Sequence, residues 1–152
     1  MITWQWTHFD DLSPARLYAM LALRQEVFVL EQACLYPDLD GLDLHAHHLL
    51  GWQPCTDGQP VLAATLRCLA PGAKYTEMSL GRIVTSPATR GTGLGRELVA
   101  QGIALAERLH PGHAIRIGAQ AHLEHFYASF GFRTVSAPYD EDGILHIDML
   151  RA

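Results

Sequence analysis

The residues Arg90-Gly91-Thr92-Gly93-Leu94-Gly95 stand between a stretch typical of a β-strand, Leu80 to Thr85, and an amphipathic helical pattern that continues to Leu109. Glycine has no Cβ, so the backbone of this turn can approach a ligand closely. A helix that begins in the turn directs unpaired N–H groups and the positive end of its dipole at that ligand. The segment therefore predicts an anion site, with a phosphate or pyrophosphate as its natural occupant.

Two known phosphate loops do not fit this turn. It lacks the Gly-Lys-Ser/Thr of nucleotide-triphosphate loops, and the spacing of Gly91, Gly93 and Gly95 is not the G-x-G-x-x-G of a dinucleotide fingerprint. Arg90 and Arg96 flank the turn and are predicted to add charge-assisted hydrogen bonds. A plain strand-to-helix corner is the alternative interpretation of the same glycines.

Two segments resemble the markers of the GNAT acetyltransferase family. Residues 83–95 are similar to its acetyl-CoA motif, Q/R-x-x-G-x-G/A after a strand, and residues 121–132 are similar to its helix that ends in Tyr-x-x-x-Gly-Phe. The segments 23–32, 38–43 and 45–51 resemble the ElaA-like subgroup of that family. The resemblance therefore covers nearly the whole chain.

Length and composition indicate one ordinary globular domain, residues 1–152. The hydrophobic fraction is 49% and the charged fraction 18%, and the net charge of −5 speaks against a nucleic-acid surface. Cys34, Cys55 and Cys68 are odd in number and lack metal-ligand spacing, which favours reduced thiols. Neither a signal-peptide pattern nor an apolar run of bilayer length is visible, so a cytoplasmic location without membrane contact is expected.

The hydrophobic periodicity predicts the element order β-α-β-β-β-α-β-α-β-β, a mixed α/β sheet with helices on both faces. The resemblance implies the same order, with a mostly antiparallel sheet whose central strands splay apart. Residues 33–44 are predicted as a loop with one short helical turn, and 140–143 as a turn. The predicted strands are 2–7, 45–53, 61–69, 78–85, 114–119, 132–136 and 144–150, and the predicted helices are 14–32, 93–109 and 122–130.

The resemblance implies acetyl-CoA as the cosubstrate. Its phosphates are expected on the N–H groups from Gly91 to Arg96, and its pantetheine arm along the fourth strand as an added β-strand. The thioester is expected between the fourth and fifth strands, near Gln120 and His122. The predicted cofactor-binding residues are Ile83, Val84, Thr85, Arg90, Gly91, Thr92, Gly93, Leu94, Gly95, Arg96 and Gln120.

Tyr127 matches the family's tyrosine that protonates the leaving thiolate, and we predict it as the general acid; packing against the cofactor or core is the alternative role. The attacking amine must lose a proton, so a base or a water chain is needed. The candidates for that base are Glu77, His47, His48 and His122, and water alone remains an alternative.

A second cluster combines three aspartates with three histidines between residues 38 and 48. The cluster suggests a metal site. Its glycine is misplaced for a calcium loop, however, and no Glu closes the loop. Strand alternation places only His45 and His47 on one face, so the three histidines cannot all face one metal ion. We predict no metal. We expect instead that the aspartates form a polar network with Arg24 or Arg82 that shapes the acceptor pocket. A further hypothesis gives an ammonium-attracting role to Glu26, Glu31, Asp40 and Asp43.

The sequence thus predicts an N-acetyltransferase that moves an acetyl group to the amine of a small molecule or peptide by direct attack. The alternative is an acyl-CoA-binding sensor without turnover, and a third interpretation is a metal-binding domain built on the histidines. No nucleic-acid partner is expected, and a homodimer is left open because dimers are common in the family.

Overall fold

Eight strands form one twisted sheet in the computed structural model, which describes residues 1–152. The strands are β1 (Thr3–His8), β2 (His47–Gln53), β3 (Val61–Leu69), β4 (Met78–Thr85), β5 (Ile115–Gln120), β6 (Arg133–Thr134), β7 (Tyr139–Glu141) and β8 (Ile144–Arg151). The α-helices are α1 (Pro14–Arg24), α2 (Leu94–Leu109) and α3 (Glu124–Ala128).

The sheet order is β1-β2-β3-β4-β5-β8-β6, with β7 paired to the same edge of β8 as β6, further along the strand. Every pairing is antiparallel except that of β4 with β5, which is parallel and comprises only Met78–Ile115 and Ser79–Arg116. Beyond those two pairs the strands diverge. The predicted fold class, a mixed and mostly antiparallel sheet with splayed central strands, is confirmed.

The two long helices pack on opposite faces of the sheet. Successive side chains of a strand point to opposite faces, and on β2 Leu49 belongs to the core beneath α2 whereas Leu50 belongs to the core beneath α1. The α2 core is the larger, with 19 buried residues against 7. Trp52 is buried, and Trp4 and Trp6 pack against the α2 core, so all three tryptophans belong to the sheet.

The first helix differs from the prediction in its internal geometry. It covers the predicted residues, but after Arg24 it continues as a π-helix from Gln25 to Glu31. Ala33 follows with a positive φ of 54°. Apolar spacing cannot distinguish i→i+4 from i→i+5 hydrogen bonding over so short a segment, so the sequence predicts a plain helix there.

The second strand begins at His47 and not at His45. Gly41, with a φ of 83°, leads into a 3-10 turn from Leu42 to His45, which is the predicted short helical turn. The expectation that His45 and His47 share a strand face is therefore wrong. His45 is exposed, and His47 stacks on Trp6 at 5.6 Å between ring centroids.

The C-terminal hairpin also differs from the prediction. The strand expected over 132–136 is reduced to β6, and the first half of the turn expected over 140–143, Asp140 and Glu141, belongs to strand β7. Asp142 and Gly143 form the actual turn, with positive φ at both positions, 52° and 84°. Such a pair matches the two-residue turns that join antiparallel strands tightly. No helix of the molecule combines the length and the apolar character needed to cross a membrane.

Candidate functional site

The divergence of β4 from β5 opens a cleft of about 770 Å³. The strands and the glycine turn form one side of it, and the loop after the π-helix and the β7–β8 hairpin form the other. The predicted site residues that line this cleft are Ile83, Val84, Thr85, Arg90, Gly95, Gln120, His122 and Tyr127.

A β-bulge in β4 shapes the cleft wall. Thr65 pairs with Val84 and Arg67 with Gly81, so Arg82 and Ile83 together oppose Leu66. Arg82 takes a positive φ of 48° there. Bulges bend a strand and re-aim its side chains. Because β5 has already separated, the β4 edge beyond Ser79 presents its main-chain groups to the cleft.

The glycine turn has the geometry of an anion site. Gly91 and Gly93 take φ values of 79° and 84°, which side-chain-bearing residues rarely adopt, and a Cβ at either position would meet nothing within 4 Å. Gly93 caps α2, a helix of 16 residues whose first N–H groups have no intrahelical partner. Thr92 Oγ1 donates to the carbonyl of Thr89 at 2.5 Å and stabilises the turn.

The two arginines that flank the turn already have partners. Arg90 forms a two-pronged ion pair with Glu31 at 2.6 and 2.9 Å, and this hydrogen bonding lowers the pKa of Glu31. Arg96 lies over the rings of Phe126 and Phe130 and donates to Ser129 Oγ at 3.1 Å. Glu31 is therefore not a free carboxylate for an ammonium group.

Tyr127 places a phenol in the cleft. Its side chain is 6% exposed and makes edge contacts with Phe126 and Phe132. Burial raises the pKa of Tyr127 to about 12. No side chain or carbonyl of the protein receives a hydrogen bond from its hydroxyl, so a neutral donor faces the cleft at ordinary pH.

The four predicted base candidates separate by position. Only His122 lines the cleft. Glu77 immediately precedes β4, at the closed end where β4 and β5 still pair, and it does not line the cleft. His47 and His48 lie on β2 away from the cleft, and burial lowers the pKa of both.

A buried network of three arginines and three aspartates lies beside the cleft. Arg24 bonds Asp43 at 2.7 Å and Asp38 at 2.9 Å, and Arg82 Nε lies 2.8 Å from Asp38. The predicted network with Arg24 and Arg82 is therefore present. Arg67 on β3 bonds Asp40 at 2.7 Å and Asp43 at 3.2 Å and was not predicted, although it is the only charged residue of its strand.

This pairing corrects the ammonium hypothesis for Asp40 and Asp43. Burial alone would raise the pKa of Asp43, but the guanidinium groups of Arg24 and Arg67 hold it below its usual value, and the pKa of Asp40 is lowered in the same way. Both carboxylates are ionised and already neutralised, and Glu26 does not line the cleft. The network fixes the 38–43 loop as a wall. The structure contains no group of three or more His, Cys, Asp or Glu side chains placed to hold a metal ion.

Several cleft residues were missed at the sequence level. One of them is Gln32, whose Oε1 accepts a hydrogen bond at 3.2 Å from Nε2 of the predicted Gln120 and so joins the end of the π-helix to β5. On the opposite side, Tyr139 donates to Asp148 at 2.6 Å, and His146 lies beside Glu141. Alternation along 144–150, which places His146 and Asp148 on one strand face, was the available signal.

Comparison with known proteins agrees with this architecture. Residues 61–151 match the family described as Acetyltransferase (GNAT) domain. The chain is 50% identical to a UPF0039 protein of Synechocystis, over 98% of this chain and 94% of that protein. It is 42% identical to protein ElaA of Escherichia coli, over 99% and 97% of the two chains, and the crystal structure of ElaA superposes over 100% of both with a TM-score of 0.91. An acyl-CoA N-acyltransferase from Pseudomonas aeruginosa, 45% identical, superposes over 100% of both chains with a TM-score of 0.92.

Proposed function

The chain belongs to the GNAT acetyltransferase family, within its ElaA-like members, and from that premise we propose that it transfers an acetyl group from acetyl-CoA to the amine of a small molecule or peptide. One observation supports this most: a single cleft is lined by both ends of the glycine turn, Arg90 and Gly95, by the open edge of β4 and by the Tyr127 phenol. The turn would bind the phosphates, the β4 edge would bind the pantetheine arm, and Tyr127 would protonate the thiolate.

In this proposal the N–H groups from Gly91 to Arg96 receive the pyrophosphate at the N-terminus of α2. The main chain of Ile83 and Thr85 pairs with the pantetheine amides as an added strand. Acetyl-CoA supplies the activated acyl group. Positive φ at Gly91 and Gly93, with open space in front of both, fits a ligand that approaches the backbone closely.

The chemistry is a direct attack of the amine on the thioester. A main-chain N–H of β4 donates to the carbonyl oxygen as it gains negative charge, and Tyr127 donates its proton to the departing sulfur. Cys34 also lines the cleft, but burial and the carboxylates of Asp142 and Glu141 raise the pKa of its thiol. A protonated Cys34 is a poor nucleophile. We therefore expect sequential kinetics without an acetyl-cysteine intermediate.

Calorimetric titration with acetyl-CoA tests the proposal. We expect binding by the wild type and at least about a hundredfold weaker binding by Gly93→Asp, a loss of about 2.7 kcal/mol, since the new carboxylate repels the pyrophosphate. Gly112→Asp is the matched control, because Gly112 also has a positive φ, 78°, but lies in the turn after α2 and outside the cleft.

The outcomes are distinct. Equal weakening in both variants would assign the effect to backbone strain and remove the evidence for the pyrophosphate turn. Absence of binding by folded wild type would contradict the proposal itself. Binding without thiol release in the presence of a panel of amines would favour the acyl-CoA-binding sensor.

A further inference from the structure

A histidine and a carboxylate meet on the hairpin side of the cleft. His146 of β8 pairs in register with Gln120 of β5 on one side and with Tyr139 of β7 on the other. Its Nε2 lies 3.4 Å from Oε2 of Glu141, and both side chains line the cleft. His146 is therefore directly opposite Gln120, the last residue of β5 at the open end of the cleft.

The surroundings fix the orientation of the His146 ring. Nδ1 lies 2.8 Å from the carbonyl oxygen of Ile144, and the ring stacks on Tyr139 with centroids 6.0 Å apart and planes at 24°. A carbonyl only accepts hydrogen bonds, so Nδ1 keeps its proton and the neutral ring presents a lone pair at Nε2. When Nε2 takes up a proton, Glu141 is placed to stabilise the resulting imidazolium.

We infer that His146 is the group that removes the proton from the acceptor amine and that Glu141 is its positioning residue. The inference rests on the proposed acetyl transfer. It assigns the base to the hairpin side of the cleft, opposite Tyr127. His122, the predicted candidate that also lines the cleft, is exposed and has no partner that orients its ring.

The exposure of the two side chains suits His146 as the base and Glu141 as its positioning residue. The His146 side chain is 12% exposed and the Glu141 side chain 54%. The imidazole is therefore held in place, whereas the carboxylate can rotate aside for an incoming amine at little desolvation cost. At 3.4 Å the contact is longer than an ordinary hydrogen bond, so the carboxylate is not fixed on Nε2.

The proton balance closes with two groups. An alkylammonium gives one proton to His146 Nε2, which returns it to solvent. The neutral nitrogen then forms the bond to the acyl carbon while the carbon–sulfur bond breaks and its electron pair stays on sulfur. Tyr127 protonates that sulfur, and the second nitrogen proton passes through water to the phenolate. The products are the amide, the free thiol and one solvent proton.

Other ionisable groups surround the pair and bear on its pH dependence. Gln120, on the β5 side, is uncharged. The ionisable groups of the hairpin are Tyr139, Asp142 and Asp148, and Arg116 of β5 is paired with Asp148 at 2.8 Å. The loop after the π-helix adds Cys34 and Tyr36. None of these groups contacts the His146 Nε2 atom; its one ionisable neighbour is Glu141.

The test compares His146→Gln with the wild type in acetyl-CoA turnover with spermidine, phenethylamine and alanyl-alanine, measured as released thiol. We expect kcat to fall about a hundredfold near pH 7, the usual size of a general-base contribution. Acetyl-CoA affinity should stay unchanged by calorimetry. The deficit should shrink near pH 10, where about a third of a free alkylamine is already neutral.

Two further variants make the test specific. Glu141→Gln should lower kcat with little change in the KM for acetyl-CoA, and Glu141→Asp should restore part of the loss. His113→Gln is the control, since His113 is exposed beyond α2 and outside the cleft. Wild-type kcat and pH profile in His146→Gln would overturn the inference, as would a comparable loss in His122→Gln alone.

A separate measurement does not depend on turnover. Long-range proton–nitrogen NMR reads which imidazole nitrogen bears the proton. We expect the neutral His146 ring to be protonated on Nδ1, and protonation on Nε2 would overturn the inference even if no amine is acetylated. Failure of every amine with the Nδ1 form present would instead count against the proposed function.

Discussion

At the scale of single residues, Tyr127 and Cys34 show how burial sets the protonation state of two groups in one cleft. Removal from water disfavours the charged form of each and raises both pKa values. The consequence differs with the chemistry. A neutral phenol is a proton donor, as the proposed thiolate release requires, whereas a neutral thiol is a weak nucleophile, which agrees with the proposed direct attack by the amine.

Tyr127→Phe separates proton donation from packing. The ring contacts with Phe126 and Phe132 remain in this variant, so the fold and the affinity for acetyl-CoA should be retained. We expect kcat to fall about a hundredfold, because the leaving thiolate loses its acid. Steady-state thiol release measures this. Tyr18→Phe, an exposed tyrosine of α1, is the control; an unchanged kcat in Tyr127→Phe would assign the tyrosine to packing.

Which site residues can be predicted depends on whether their role is local. Gly93 and Tyr127 belong to short markers, so the sequence alone suggests what they do. Arg67 and His146 acquire their roles from Asp40 and Glu141, which lie 27 and 5 positions away and meet them only in the folded protein. Periodicity indicates which face such a residue occupies and not what it meets there.

At the scale of elements, the position of the glycine turn depends on how closely α2 approaches β3. Gly102 lies on the buried face of α2, and a Cβ built there would stand 2.6 Å from Cδ2 of Leu66. Leu66 is itself fully buried, so its side chain can move only within a densely packed core. The absence of a side chain at Gly102 therefore allows the helix to lie against the strand that supports β4.

Gly102→Val should lower the free energy of unfolding by about 2 kcal/mol, because overpacking of a dense core has costs of this size. Urea denaturation followed by circular dichroism measures the change. Ala104→Val, at an exposed position of the same helix, controls for the poorer helix propensity of a β-branched residue, worth at most about 0.7 kcal/mol. Equal losses in the two variants would show that the Leu66 contact is not limiting.

Element boundaries were predictable where the pattern is regular. The bounds of β3 and β4 agree with the sequence prediction, and α2 begins one residue later than predicted. The π-helix from Gln25 to Glu31 and the strand β7 were missed. The π-helix preserves helical apolar spacing, and the exposed residues of β7 have the composition of a turn. Tertiary contacts, and not the local sequence pattern, therefore determine the structure of both segments.

At the scale of the whole molecule, titratable groups are buried in states that acid disturbs. Burial is the largest cause that lowers the pKa values of His47, His48 and His110, so the folded protein favours their neutral forms. The arginine network lowers the pKa values of Asp40 and Asp43. The unfolded chain, with ordinary pKa values, binds more protons than the folded protein in both ranges.

Stability should therefore fall in two stages as the pH decreases. The first begins at about pH 6.5, where the histidines of the unfolded chain take up protons, and the second below about pH 4, where its aspartates do. Each unit by which a folded pKa is lowered corresponds to about 1.4 kcal/mol. Urea midpoints across this range test it, with His48→Asn expected to flatten the first stage and exposed His45→Asn to leave it unchanged. A midpoint independent of pH above 5 would contradict the histidine contribution.

The two-pair ladder between β4 and β5 also bears on how the chain assembles during synthesis. Strands β1 to β4 come from residues 3–85 and neighbour one another in sheet order, and β5 to β8 come from residues 115–151. Every ladder except that two-pair one joins strands of the same half, so the first meander can form before the second half has left the ribosome. Joining the halves then falls to α2 and the core beneath it, which contains side chains of both. The gap between β4 and β5 is thus also the boundary between an early and a late folding unit.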